Sequence, residues 1–361
     1  MAGLMRSGKT TNQNCCSIEK NWPAQLVLNS RKYGYEAMAM EEMTMKKSIR
    51  TLVLMAAAMM TLHASAGTKV PDYSPQKLSD HVHVIHGPTS FPNPENLGFM
   101  NNPAIVIYDE GVVILDPGSS LESGRMVLRQ LAKLTDKPVT HVINSHVHGD
   151  HWLGNQAIRE KYPQVQLYAH PEMIKRAKES EARVWVEMME TLTEGATAGT
   201  EAVIPENALK DGQEFKLSGL TLKIHIVPAA HSYTDAMTEV VDDALLYTGD
   251  NVTYKRLPRF DDGTFRGSIA ACDHALALGL KHYVPGHGPS GGSEVVETFR
   301  DYTKILYETA AELYEEGLAD FEMKEQISAK LTAFHGWSGY DEFLGKTISL
   351  AIIEAEKASF E

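Results

Sequence analysis

The run His146-Val147-His148-Gly149-Asp150-His151 places four metal-ligand side chains within six residues, directly after the apolar stretch Val139 to Ile143. A strand that releases three imidazoles and a carboxylate onto one loop has no packing reason to do so. Crowded titratable groups repel one another or suffer desolvation unless a cation gathers them. Scattered surface histidines would not share one turn, so the run reads as a metal site.

Three further candidates, working outward, each end a strand-like run. His231 follows Ile224-His225-Ile226-Val227-Pro228-Ala229-Ala230, Asp250 follows Leu245-Leu246-Tyr247-Thr248-Gly249, and His287 follows Tyr283-Val284-Pro285-Gly286. A lone histidine or aspartate at a strand end is ordinary. Together with the cluster, their order and context resemble the metallo-β-lactamase superfamily over roughly residues 80–290. The resemblance rests on Asp116 in Leu-Asp-Pro-Gly, His146-x-His148-x-Asp150-His151, His231 in Ala-His-Ser, Asp250 in Thr-Gly-Asp and His287 in Pro-Gly-His-Gly.

The resemblance implies an α/β fold, the αββα sandwich of that superfamily, with a C-terminal helical extension. It also implies that His146, His148 and His231 hold one metal, that Asp150, His151 and His287 hold a second, and that Asp250 bridges both. Two zinc ions per chain and a hydrolytic reaction driven by an ionised water follow from the same likeness. Asp150 is then the residue that orients the nucleophile and carries a proton to the leaving group. Asp116 reads either as the support of the ligand loop or as a plain turn aspartate before Pro117-Gly118. One departure matters. The β-lactamases of the superfamily usually lack an aspartate at the position of Asp250, and many carry cysteine there. The full ligand set is more typical of thioesterases, lactonases, alkylsulfatases and phosphodiesterases. A carboxylate in place of a thiolate hardens the site and makes iron or manganese compatible with it alongside zinc.

The pattern of apolar periods agrees with two sheets and outer helices. Strands are expected at Val82 to His86, Ala104 to Tyr108, Val112 to Leu115, Val139 to Ile143, Gln166 to Ala169, Glu214 to Leu217, Leu220 to Val227, Thr238 to Val241, Ala244 to Thr248 and His282 to Val284. Helices are expected at Leu121 to Leu134, Gly154 to Tyr162, Pro171 to about Glu194, Ser268 to Leu280, Ser293 to Gly317, Asp320 to Phe334 and Tyr340 to Phe360. The loop Gly87 to Asn102, rich in proline, phenylalanine and asparagine, is long enough to cover a site. Residues 67–292 read as the catalytic domain, and 293–361 as helices packed on it or extending it.

From Met45 the chain reads Met-Lys-Lys-Ser-Ile-Arg, then the apolar run Thr51 to Leu62, then Ala64-Ser65-Ala66 before Gly67. That is the layout of a secretory signal over 45–66, too short in its apolar part to span a bilayer. A start at Met45 and export to the periplasm are therefore expected, with residues 1–44 an artefact of start assignment or a disordered leader. Past Gly67 only Cys272 remains, so a disulfide within the mature chain is excluded, and its apolar surroundings mark it as a buried, inert thiol. The formal net charge of -13 disfavours nucleic acid as a partner. A small-molecule substrate, no stable membrane insertion and a monomer or dimer are expected.

For substrate contacts, Lys255 and Arg256 are the candidate cations for an anionic group, against the alternative of solvated loop charges. Asn251, Ser232 and Tyr233 are candidate hydrogen-bond donors. Trp152, Phe91 and Phe99 would either wall the pocket or pack in the core. His141, His170 and His225 alternate with apolar residues and read as structural. Three functions fit: an exported zinc β-lactamase acting in antibiotic resistance, which is the first expectation; an exported hydrolase of esters, lactones or sulfate esters, including relatives tied to quinoprotein pathways; and a metal-binding accessory protein without catalysis. An intact ligand set argues against the last.

Overall fold

The computed structural model describes residues 69–360, so the leader at 1–44 and the signal at 45–66 lie outside the described residues. Among the described residues twelve strands form two sheets. The first contains, in spatial order, β1 (Gln76–Lys77), β2 (Val82–Val84), β3 (Ala104–Tyr108), β4 (Gly111–Leu115), β5 (Val139–Ile143), β6 (Gln166–Ala169) and β7 (Asn207–Ala208). The second runs β12 (His282–His287), β11 (Leu245–Thr253), β10 (Ala236–Val240), β9 (Leu220–Ile226) and β8 (Glu214–Leu217). Pairing is antiparallel from β1 to β4 and from β8 to β11, and parallel from β4 to β7 and between β11 and β12.

Strand alternation divides the apolar side chains between two interfaces. On β4, Val113 and Leu115 enter the core between the sheets, where they meet Leu222, Ile224, Leu245, Tyr247 and Val284 of the second sheet. Val112 and Ile114 of the same strand face the other way, onto Met126, Val127 and Leu131 of α1 (Leu121–Leu134). Across the molecule, Met237, Leu246 and Tyr283 are covered by α6 (Phe265–Ala277) and by the first turns of α7 (Ser293–Glu315). The order of layers is helix, sheet, sheet, helix, the sandwich expected from the sequence.

Between these lie α2 (Gly149–Trp152), α3 (Asn155–Lys161), α4 (Pro171–Arg176) and α5 (Ala182–Leu192). The single helix expected from Pro171 is broken by a π-helical turn at Ala177–Glu181 and stops at Leu192. Helix α6 begins three residues before the expected Ser268, because Thr264 caps it by accepting from Gly267 N. Asp250 and His287 lie within β11 and at the end of β12, not on turns beyond them. Parallel pairing of these strands continues past Gly249 with shifts in register, which carries both side chains along the sheet edge.

Beyond the sandwich, α7, α8 (Asp320–Lys330) and α9 (Tyr340–Ser359) enclose a second core that includes Tyr302, Leu306, Met323, Ile327, Leu344 and Ile348. Helix α7 belongs to both cores: Val295, Val296 and Phe299 pack on the second sheet, and Tyr302 to Leu313 on the C-terminal helices. The tail is thereby continuous with the domain. No helix among the described residues is long and apolar enough to cross a membrane.

Candidate metal centre

The segment after β5, the middle of β11, the end of β12 and the loop after β9 converge at one edge of the sandwich. His146, His148 and His231 offer ligand atoms within 4.8 Å of one another, as do Asp150, His151 and His287, and as do His146, His151 and Asp250. Asp250 joins the groups: Oδ1 lies 3.2 Å from His151 Nε2, while Oδ2 lies 3.5 Å from His231 Nε2 and 3.3 Å from His287 Nε2. Asp150 Oδ2 is 3.1 Å from His287 Nε2 and 3.4 Å from His151 Nε2. All seven residues are buried. A glycine is required at 286, since a Cβ there would overlap Asp250 Oδ1.

The arrangement fits divalent cations on two independent observations. Donor atoms on one tetrahedral zinc, each at about 2.0–2.1 Å, stand roughly 3.3 Å apart, and most of the separations above fall near that value. In addition, His146 Nε2 and Asp250 Oδ1 are buried with no hydrogen-bond partner among the described residues. Orphaned polar atoms at the centre of a buried histidine and aspartate cluster are costly unless a cation accepts their lone pairs.

The outer nitrogens are tied down in a way that frees the inner ones. His151 Nδ1 donates to Asp116 Oδ2 at 2.7 Å, and His148 Nε2 donates to Asp262 Oδ2 at 3.0 Å. His146 Nδ1 lies 2.9 Å from Ser145 Oγ, and His287 Nδ1 lies 2.9 Å from the Met100 carbonyl. At His151, His148 and His146 these contacts select the tautomer whose remaining nitrogen carries a lone pair toward the cluster, while at His287 the Met100 carbonyl favours that tautomer and the Arg256 guanidinium, 2.9 Å from the same Nδ1, opposes it. Burial, reinforced by neighbouring imidazoles, pushes the His146 pKa far down and that of His231 to about 3. Burial opposes ionisation of Asp150 and Asp250, but His151 and His287 outweigh it and hold both carboxyls well below their usual range. His146, His231, Asp150 and Asp250 are thus held in the deprotonated state that metal binding needs, whereas at His151 burial is outweighed by Asp250, Asp150 and Asp116, which hold its pKa well above the usual imidazole range, so a bound cation would displace that proton.

Asp116 is fully buried and accepts four hydrogen bonds: from Ser145 N at 2.8 Å, from Ser145 Oγ, from His151 Nδ1 and from Tyr247 Oη at 3.0 Å. It therefore anchors the ligand loop to both sheets, in a left-handed conformation (φ 49).

Above the cluster opens a cavity of about 440 Å³. His148, Asp150, Asp250 and His287 form its floor, and Phe91, Trp185, Met189, Leu257, Phe260 and Phe343 supply much of its apolar wall. The candidate substrate contacts divide sharply. Arg256 lines the cavity, is 4% exposed, and places its guanidinium 4.2 Å from the Phe91 ring centre. Its NH1 lies 2.9 Å from His287 Nδ1, and no carboxylate pairs with it among the described residues. Lys255, next in the chain, is exposed and turned toward Tyr254, and Tyr233 is 54% exposed beside Arg176; neither lines the cavity. Ser232 is spent on Thr234 and Asp235, and Asn251 donates to the Thr248 carbonyl, so both support the backbone around the ligands. Trp152 is core, with its indole N–H on the Val147 carbonyl, and Phe99 is core as well, whereas Phe91 does wall the pocket.

Several residues were missed from sequence. Trp185 stands 4.8 Å from the His148 ring and, with Met188 and Met189, makes one wall of the cavity. Helix α9 supplies another. Asp262, the partner of His148, has its carboxyl lowered to about 2 by that hydrogen bond. Cys272 is buried, and burial pushes its thiol pKa up, in keeping with an inert role.

The family profile described as the metallo-beta-lactamase superfamily matches residues 97–287. The chain belongs to this superfamily. As a superfamily member it has relatives of more than one activity. A linear primary-alkylsulfatase of a Pseudomonas species is 24% identical over 262 residues, 60% of this chain and 48% of that protein, so the chain spans about half of that relative's length. A type 2 metallo-beta-lactamase of Bacteroides fragilis is 24% identical over 238 residues, 63% of this chain and 83% of the relative. Among solved structures, a metallo-beta-lactamase from Pontibacter korlensis superposes with a TM-score of 0.52 at 18% identity, covering 64% of this chain and 98% of that one. This likeness establishes the fold.

Proposed function

We propose that this superfamily hydrolase is an exported, two-metal enzyme that cleaves a small anionic substrate with an apolar body. The observation that carries the proposal is Arg256, a buried guanidinium with no carboxylate partner among the described residues, on the wall of an apolar cavity whose floor is the ligand cluster. Burial weighs against this charge and Asp150 and Asp250 offset part of it from beyond ion-pair distance, so an anionic ligand against the guanidinium would supply the direct partner it lacks.

His146, His148 and His231 would hold one cation and Asp150, His151 and His287 the other, with Asp250 between them. Bound there, two zinc ions would supply the positive charge that makes water acidic near neutral pH and that polarises the scissile group. Asp150 both faces the ligand cluster and lines the cavity, which supports a role for its carboxylate in orienting the nucleophile and passing a proton to the leaving atom. Arg256 fixes the anionic end of the substrate, and the Phe91 and Trp185 rings exclude water around the bond to be broken.

β-Lactam ring opening belongs to this class, since a β-lactam carries a carboxylate beside an apolar bicycle. Hydrolysis of sulfate or carboxylate esters is the second reading, favoured by the carboxylate of Asp250 and by the apolar walls. A panel with metal-loaded protein decides: nitrocefin, a carbapenem, p-nitrophenyl sulfate, a straight-chain alkyl sulfate and p-nitrophenyl esters. Turnover of at least one anionic member, with KM raised about tenfold or more in Arg256→Met, is the expected result. Turnover of neutral esters alone, indifferent to Arg256→Met, would overturn the proposal.

A further inference from the structure

One wall of the cavity comes from outside the sandwich. Helix α9 has two working faces: Tyr340, Leu344, Ile348 and Ala351 are buried in the C-terminal core, while Phe343, Lys346, Thr347 and Leu350 line the cavity. Positions 343, 346, 347 and 350 share one side of a helix. The helix is held in place at both ends. Phe343 packs on Phe91 with ring centres 4.7 Å apart, and Glu354 accepts from the Phe265 and Arg266 amides at 2.6 and 3.0 Å, at the start of α6. Two charged residues of this helix also line the cavity, Glu342 and Lys346, both exposed. Lys346 is paired with Asp261, and Asp261 also takes Arg259 at 3.1 Å, so Arg256 remains the cavity cation without a carboxylate partner among the described residues. Phe343 and Leu350 are only partly buried, unlike the core face behind them, and they look across at Trp185, Met188 and Leu192.

We propose that α9 is the specificity-determining wall of this cavity: Phe343 and Leu350 receive the apolar tail of a substrate whose anionic head lies on Arg256. The inference rests on the Arg256 reading above and goes beyond it, because it assigns the C-terminal extension a part in substrate choice. A tail laid on this face buries methylenes against carbon, which raises affinity about fourfold for each one added.

The test uses straight-chain alkylsulfonates from butyl to decyl, which have the head and the tail but no ester bond, so binding is read without turnover. Calorimetric titration into the metal-loaded full chain is expected to give saturable, single-site binding that tightens about fourfold per methylene. Phe343→Ala and, separately, Leu350→Ala are expected to cut that gain to about twofold or less, in variants that remain folded at the titration temperature by their circular dichroism. In the unmodified protein, an alkylsulfonate with a diazirine at the end of its tail should label peptides from 340–359. Labelling confined to other segments, an unaltered gain per methylene in both variants, non-saturable uptake, or no binding would each overturn the proposal. Failure of the hydrolytic reading registers separately, as absent turnover across the substrate panel with these binding results intact.

Discussion

Replacing Asp116 by asparagine isolates the electrostatic support of the metal centre. Asparagine keeps the size and tolerates the left-handed backbone at φ 49, so the substitution adds no strain. It changes the far end of the side chain. Oδ2 accepts from Ser145 Oγ, Tyr247 Oη and His151 Nδ1, and an amide NH2 in its place would confront three donors. The two hydroxyls can rotate to accept from the new amide. The imidazole cannot, and must either lose its bond or move its proton to Nε2, the atom that faces Asp150 and Asp250. One lost bond to a buried charge costs roughly 1.5–3 kcal/mol, and a second, weakened one brings the expected loss to about 2–4 kcal/mol. Urea unfolding of metal-loaded protein measures the stability, and elemental analysis of the same sample measures the metal. The expected outcome is that loss of stability together with depletion of the cation held by His151. A change under about 0.5 kcal/mol with full metal content would refute the idea that Asp116 fixes the His151 tautomer.

Other consequences follow from different parts of the molecule. His86 Nε2 accepts the Ser290 amide at 3.2 Å, and burial lowers its pKa, so folding favours the neutral ring. Below about pH 6.5 the unfolded chain binds this proton first, so stability should fall as pH drops from about 7 to about 5. His86→Gln should flatten that slope in urea midpoints; an unaltered slope would remove His86 as a contributor. Leu344→Ala, at a fully enclosed position of the C-terminal core, should cost about 2–5 kcal/mol and lower the melting temperature of the whole chain in a single transition, because α7 joins the two cores. A separate early transition for the tail would contradict that coupling.

The convergence of the seven clustered side chains was open to sequence reading because most of them interrupt a local rule. The His146 to His151 run breaks the polarity expected after a buried strand, and Asp250 and His287 sit beside glycines that a positive φ (Gly249, Gly288) or a close approach (Gly286) requires. The cavity above it was not open in the same way. Trp185 and Met189 on α5, and Phe343 and Leu350 on α9, repeat at helical spacing as any core-facing residues do. Nothing in a helical period says whether the surface opposite is another helix or an empty pocket. Lys255 and Arg256 show the same limit at the scale of neighbours. Of two adjacent cations on one loop, Lys255, in a left-handed conformation (φ 60), is exposed, and only Arg256 is buried. Strand ends erred for a related reason. The parallel pairing of β11 with β12 extends through Thr253 by register shifts that no alternation pattern announces.

The account depends above all on a cation pair held by His146, His148, Asp150, His151, His231, Asp250 and His287. Elemental analysis of the purified chain, repeated on His146→Ala and His287→Ala, tests it most directly. The expected result is two divalent ions per wild-type chain and about one in each variant, with the folded state retained. A wild-type chain that binds no more than trace metal, after incubation with zinc, iron or manganese, would contradict it.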